Sequence, residues 1–238
     1  MQLFSHRGLF IALTIIVLWT AVLITSLSIR FEGVLFTLAI PLLLVTTFLY
    51  TGLFITAHDA MHGAVAPSKK RVNDLIGRLC SLAYALFSFA ELRIEHWKHH
   101  REPASEHDPD YHDGQHSGLL QWYIRFLLRY VTWRQILGMA IVFNILKYGF
   151  NVPDFNLVFL WILPNVLSTF QLFYFGTYLP HREPSTGYDN PHRARSNDYS
   201  ETLSFLTCYH FGYHYEHHQY SNVPWWDLPR VRRTGAGE

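Results

Sequence analysis

Three stretches of this chain carry no Asp, Glu, Lys or Arg over a length that matches the thickness of a bilayer. Residues 8–29 give 22 such positions, 33–57 give 25 and 155–180 give 26. A helix needs roughly 20 apolar residues to cross about 30 Å of hydrocarbon, so each run suffices. Residues 135–153 add 19 with one interruption, Lys147, close enough to the end for its long side chain to reach the interface. In lipid a backbone must satisfy its own N–H and C=O groups, which a helix does within a single segment. The expected fold is an all-α integral membrane protein, one domain over 1–238, with four transmembrane helices at about 9–29, 33–57, 135–153 and 155–180. A removable leader is a poorer account of the first run, which outlasts the roughly 7–15 apolar residues of such a segment and has no convincing small-residue cleavage site after it.

The four runs pair into two hairpins, with turns at 30–32 and 151–154 too short to hold a domain. Apart from Arg30 and Lys147, the other 17 of the 19 Lys and Arg residues fall on the side opposite those turns. The positive-inside rule makes that side cytoplasmic. Both termini, residues 58–134 and the 181–238 tail are expected there, together with every histidine. Residues 79–90, only 12 without a charge, are too short to span and suit a helix lying in the interface. Residues 119–131, which mix apolar and basic side chains at helical spacing, read as a second interfacial helix. Residues 103–118 and 184–197 have the Pro, Gly, Asp and Asn content of loops. The fold is thus two hairpins, interfacial helices and a cytoplasmic histidine-rich cap.

Composition excludes several classes. Half the residues are hydrophobic and 16% are charged, too much apolar surface for a disordered chain. A net charge of +1 supplies no field to recruit nucleic acid. Cys80 and Cys208 make no disulfide framework and no CxxC site. Neither GxGxxG nor a P-loop occurs, so nothing points to a bound nicotinamide, flavin or nucleotide.

Fifteen histidines demand an explanation, and fourteen of them lie between His58 and His218. Three clusters stand out: His58 and His62 in HDAMH, His96, His99 and His100 in HWKHH, and His214, His217 and His218 in HYEHH. On a helix, positions i, i+3 and i+4 share a face, so each cluster is expected to present its imidazoles in one direction. One HxxxH alone is more often surface than site, and the Glu that a zinc protease places after its first His is Asp59 here. The joint pattern is more demanding. One box follows a span directly, and two HxxHH boxes flank a hairpin that returns to the same side. Eight imidazoles exceed what one four-coordinate zinc can use, so two metals with an open position is the simplest account. Ligand type alone leaves iron, copper, zinc and nickel open. Asp59, Glu95, Asp108, Asp110 and Glu216 lie beside the boxes and are natural acceptors for the outward imidazole N–H. Asp108-Pro109-Asp110 is equally a turn or helix cap on its own. His107 and His112 are ambiguous, and His6, His116 and His192 read as solvated loop residues. The tryptophans outside the spans, Trp97, Trp122, Trp133, Trp225 and Trp226, fit an aromatic belt at headgroup level, and Met61 fits packing.

The three-box pattern resembles the membrane-bound diiron desaturase and hydroxylase superfamily. The strings FITAHDAMHG, EHWKHHREPASEHDPDYH, FGTYLPHR, FLTCYHFGYHYEHH and VPWWDLPRVRR look more specifically like the bacterial and cyanobacterial β-carotene ketolases, over about residues 51–233. The resemblance implies that His58, His62, His96, His99, His100, His214, His217 and His218 ligate two Fe(II) ions. It implies the same of His181, which matches an extra histidine between the second and third boxes, and favours a site role for Asp108 and Asp110. His210, four residues before His214, shares that box's helical face, as a ligand or as a partner behind one. The implied reaction uses O2 to turn the C4 methylene of a β-ionone ring into a ketone by successive hydroxylations, taking β-carotene to echinenone and canthaxanthin. Substrate enters from the lipid bilayer, and reduced ferredoxin or an equivalent supplies electrons. The basic stretches Lys69-Lys70-Arg71 and 230–233 could dock it, although positive-inside anchoring explains them more simply. A carotenoid ring hydroxylase or a fatty-acid desaturase would use the same boxes. A non-catalytic metal transporter or sensor would need ionisable residues within its spans, and these are nearly bare.

Overall fold

The computed structural model describes residues 2–235, and all regular structure among them is helical. Helix α1 (Gln2–Ser28) is followed by a 3-10 turn (Gly33–Leu38) that leads into α2 (Ala39–Met61). The third rod, Asp154–His181, strings together α7 (Asp154–Leu157), α8 (Leu163–Phe173) and α9 (Leu179–His181) through two π turns. These three helices are long and apolar enough to cross a membrane. The chain ends expected on the cytoplasmic side, Met1 and residues 236–238, lie outside the described residues.

Two further segments differ from the sequence expectation. Residues 79–90 do not form one interfacial helix. Instead α3 (Lys70–Ala85) and α4 (Phe89–Arg101) meet at a 100° bend. Leu86 takes a left-handed backbone (φ 56°) that closes α3, with its N–H returning to Leu82 and that of Phe87 returning to Ser81. Ser88 then starts α4 by accepting the Glu91 N–H. No glycine marks this stop, so the sequence does not announce it. The run over 135–153 is likewise not a free-standing rod. Helix α6 (Trp133–Asn144), prolonged by a π turn to Gly149, bends 84° away from α5 (Leu119–Tyr130). Thr132 and Gln135 form a capping box there, each binding the other's backbone N–H. The helix expected over 119–131 is thus present as α5.

Helix α2 is the central element, packed against α1, α3 and α8. From Tyr50 to Met61 it is buried almost all round, whereas Phe10, Val17 and Ile24 leave α1 largely open to its surroundings. Hydroxyls and amides tie these helices together in place of hydrophobic contrast, which lipid would not supply. Thr51 meets Ser168 at 3.0 Å and Gln171 at 2.6 Å, and the Tyr84 hydroxyl meets Ser168 at 3.1 Å and Thr169 at 3.0 Å. At the far end, buried Asn156 donates to the Ser26 and Ile29 carbonyls at 2.8 and 2.7 Å, locking the two hairpin tips to each other. Lys147 pairs with Asp154 at 2.8 Å across the second turn.

The α3–α4 bend needs a glycine in contact. A Cβ built on Gly77 falls 2.2–2.7 Å from three carbons of the Phe89 ring, the first residue of α4. We expect Gly77→Ala to open this bend and destabilise the protein by about 1–3 kcal/mol, the usual cost of overpacking. In detergent, thermal melting followed by helical circular dichroism should fall by roughly 3–10 °C. Adding Phe89→Leu should restore most of the loss, and an unchanged melt for Gly77→Ala would show that the ring does not fix the bend.

Candidate metal centre

Four helix ends deliver the histidines. The last turn of α2 carries His58 and its C-cap is His62, α4 carries His96, His99 and His100, α9 ends on His181, and α11 (His214–Gln219) carries His214, His217 and His218. Their ring nitrogens collect into two groups, each within 4.8 Å: His58, His62, His96, His100 and His217, and His99, His181, His214 and His218. Each HxxHH box is therefore divided, contrary to the expectation that a box points one way. The i and i+4 histidines stay together (His96 with His100, His214 with His218), while the i+3 histidine, His99 or His217, joins the other group. Successive residues turn by about 100°, so i+3 and i+4 fall on opposite sides of i. Each of these two helices stands astride both groups.

Inside the groups the Nε2 atoms approach one another closely. The separations are 3.1 Å for His58–His217, 2.7 Å for His62–His96, 3.0 Å for His100–His217, and 3.1 Å for both His99–His218 and His214–His218. Nitrogens bound side by side at about 2.1 Å from one ion lie roughly 3 Å apart, so this spacing fits a metal. His181 gives a second indication. Its Nδ1 is held by the Arg193 carbonyl at 2.9 Å, leaving the buried Nε2 in the second group without a hydrogen-bond partner. All four rings of that group are buried, whereas His62, His96 and His100 of the first are only half-buried.

The expected carboxylates separate into two kinds. Asp108 lies against His99, its two oxygens 3.0 and 2.9 Å from Nδ1, while the backbone N–H groups of Ala104 and Asp110 donate to it at 2.7 and 2.9 Å. It is at once the turn-former and the partner of an imidazole. Burial works against its charge, but His99 and the two amides outweigh that and hold its carboxyl below the usual range. Asp110 Oδ2 lies 3.9 Å from His99 Nδ1 and Oδ1 accepts the Tyr130 hydroxyl. Burial pushes its pKa up to about 6 despite the opposing charge of His99. Asp59 lies 3.6 Å from His58 Nδ1 and accepts the Trp225 N–H at 3.1 Å. The other two brace cations rather than imidazoles. Glu95 pairs with Lys98 (2.6 Å) and Arg129 (3.0 Å), and Glu216 binds Ser196 and Arg232, the latter at 2.9 Å.

His210 belongs to neither group. Helix α10 (Glu201–Cys208) ends in two left-handed residues, Tyr209 and His210, and α11 starts only at His214. His210 therefore does not share the third box's helical face, and its ring stacks beside Tyr213 and Trp225. His192, expected in solvent, is half-buried with its ring 5.9 Å from that of His218. His116 pairs with Asp113, His112 packs on Trp122, and His107 is exposed. Two tryptophans depart from a headgroup belt. Trp122 is fully buried and donates to the Asp110 carbonyl at 2.8 Å, and Trp97 covers His62 from outside with ring centres 5.0 Å apart.

A narrow apolar cavity of about 80 Å³ adjoins both groups, its wall including His58, His96, His99 and His214. Phe54, Phe87, Phe126, Leu127 and Leu172 supply much of the rest. Phe211 packs over His58 and His214, with ring centres 4.8 and 5.2 Å away. It fits because residue 176 is glycine, where a Cβ would fall 2.1 Å from the ring. Neither Phe211, Gly176, Tyr130 nor the Arg193 carbonyl carries any spacing signal by which the sequence could have singled it out. Nine clustered imidazoles beside an apolar cavity can hold metal and bring it to a hydrocarbon ligand.

Comparison with known proteins agrees. The family model for fatty acid desaturases matches residues 34–155 and 129–236. A β-carotene ketolase of Paracoccus sp. (strain PC1) is 43% identical over 201 residues, covering 84% of this chain and 81% of that one. A β-carotene ketolase of Haematococcus lacustris is 42% identical, covering 82% of this chain and 62% of its own. A zeaxanthin 4-ketolase of Chlamydomonas reinhardtii is 42% identical, covering 80% of this chain and 43% of its own. No solved structure matches. With the family model running through nearly the whole chain and close relatives aligned along it, the chain belongs to the fatty acid desaturase family, in the branch of the β-carotene ketolases.

Proposed function

We propose that this protein is a β-carotene 4-ketolase, an O2-dependent oxygenase that converts the C4 methylene of β-ionone rings to a ketone through two hydroxylations at the same carbon. β-Carotene then yields echinenone and, once both rings react, canthaxanthin. The observation that carries this is the pair of imidazole groups opening onto an apolar cavity. The relatives named β-carotene ketolase and zeaxanthin 4-ketolase support the substrate class.

Nine histidines would hold the metal: His58, His62, His96, His100 and His217 at one position, and His99, His181, His214 and His218 at the other. Two ferrous ions there would supply O2 activation and removal of the C4 hydrogen, which is allylic to the polyene and so more weakly bonded than its neighbours. Asp108 keeps the Nδ1 proton of His99 and turns its Nε2 inward, and the Arg193 carbonyl does the same for His181. Phe54, Leu172 and Phe211 bury the ring and exclude water from its surroundings. Asp59 backs His58 and the third-box tail at once, through the Trp225 amide.

The remaining assignments follow the sequence pattern. The chain forms one domain with four membrane spans, the bent α5–α6 pair contributing the third, and its histidines and both termini face the cytoplasm. The apolar substrate enters from the bilayer, while reduced ferredoxin or an equivalent carrier delivers electrons from the aqueous side.

Expression in bacteria that accumulate β-carotene, followed by mass spectrometry of the pigments, tests the function. Each modified ring should gain one oxygen and lose two hydrogens, and His99→Ala should return the pigment unchanged. Rings that gain only a hydroxyl would make the protein a hydroxylase, and unchanged pigment from the parent would refute the carotenoid reading. The ligand assignment has its own check. Asp108→Ala should weaken iron binding about 10- to 100-fold, the usual effect of removing a ligand's partner. Glu95→Gln should leave the iron content of purified protein within about twofold, since Glu95 bonds only cations. Equal iron in Asp108→Ala and the parent would remove Asp108 from the site.

A further inference from the structure

The cavity wall is apolar except for the imidazoles and a few oxygens, and most of those oxygens are already engaged. Tyr84 is bonded to Ser168 and Thr169. The Thr177 hydroxyl has no hydrogen-bond partner among the described residues, and the open carboxyl oxygen of the cavity belongs to Asp110. Its Oδ1 accepts from Tyr130, its backbone N–H donates to Asp108 and its carbonyl accepts from Trp122, so the residue is fixed on several sides. Its Oδ2, 3.9 Å from His99 Nδ1, receives no hydrogen bond from any described residue. A carboxylate oxygen left open beside an apolar ligand is costly. A hydrocarbon ring offers it nothing, but the first hydroxylation creates an O–H donor at C4 itself.

We propose that Asp110, held by Tyr130, is the positioning residue that accepts a hydrogen bond from the 4-hydroxyl of the half-oxidised ring. This rests on the ketolase reading above and explains why the reaction proceeds to a ketone. With the hydroxyl tied to Oδ2, the alcohol stays in the cavity and its remaining C4 hydrogen stays turned toward the imidazoles. In each round one C4–H becomes C4–OH. O2 takes two electrons from that bond and two from the one-electron carrier protein, with two protons, and its second oxygen leaves as water. The resulting geminal diol loses water as one C–O and one O–H bond break and the C=O forms.

The test reads the ratio of 4-hydroxy to 4-keto end groups made from β-carotene by membranes containing the protein. The parent should give almost all ketone. Asp110→Ala should raise the ratio at least about tenfold, and Tyr130→Phe should shift it the same way by less. A purely structural role would slow total turnover and leave the ratio unchanged, and that result overturns the proposal. If Asp110→Ala does not accumulate, the Tyr130→Phe ratio decides in the same sense. Binding gives an independent reading. Anaerobically and without reductant, quenching of tryptophan fluorescence should show 4-hydroxy-β-carotene bound about tenfold more weakly by Asp110→Ala than by the parent, as expected for loss of a charged hydrogen bond. β-Carotene itself should change less than about twofold on the same scale, and equal weakening of both ligands contradicts the proposal. Failure of the parent to make any ketone would instead overturn the ketolase reading.

Discussion

The angle between successive residues of a helix organises this site. Positions i+3 and i+4 lie about 60° to one side and 40° to the other of position i. A helix aimed between two groups of imidazoles can therefore contribute to both, and α4 and α11 do so in opposite senses. Helix α4 gives two imidazoles to the first group and one to the second, and α11 gives one to the first and two to the second. Shifting any of these residues by one position would turn its ring by about 100°, out of its own group. The HxxHH spacing is thus a statement about two centres rather than about one crowded centre.

Such an arrangement needs rigid helix ends, and the membrane-like helices provide them. Helix α2 enters the site as the last buried turns of a rod braced by α1, α3 and α8, and His181 ends the longest continuous rod of the second hairpin. The polar bonds Thr51–Ser168 and Tyr84–Thr169 fix the axial register of these rods. A slip of one turn, about 5.4 Å, would separate His58 from His217. Outside the rods the loop over 103–110 does comparable work in few residues. It supplies Asp108 to His99 and Asp110 to the cavity, so the orientation of one clustered imidazole and the open carboxyl of the cavity both depend on one clamped turn.

Charge-free length made the three long helices legible, and imidazole spacing singled out eight of the nine histidines that gather in the two groups, His181 having come from the family resemblance alone. Both signals are local: one counts residues along a segment, the other counts positions around a helix. His210 misled because periodicity was extended through a break, and consecutive left-handed residues at Tyr209 and His210 carry no glycine to advertise it. Glu95 and Glu216 misled for a different reason. Adjacency in sequence put them beside ligands, but long-range partners, Arg129 and Arg232, claim their carboxylates. Phe211 over Gly176 was invisible because the fit depends on two segments that meet only in the fold.

The departures from the expected span pattern are also what create room for a substrate. Straight helices over 70–101 and 119–149 would pack side by side along their length. The breaks at Leu86–Ser88 and Val131–Thr132 turn each pair through 100° and 84°, and residues at both breaks, Phe87 and Val131, line the cavity. Gln135, just past the second break, donates to the Ala85 carbonyl at 3.3 Å and joins the two corners. An apolar passage edged by two braced corners suits a long, rigid polyene with a ring at its tip. In the proposed function the ring would reach the imidazoles while the chain trails out between helices whose outer faces are apolar. On that reading the same breaks, which bend each pair where a straight rod was expected, would open the way in for a substrate that dissolves only in lipid.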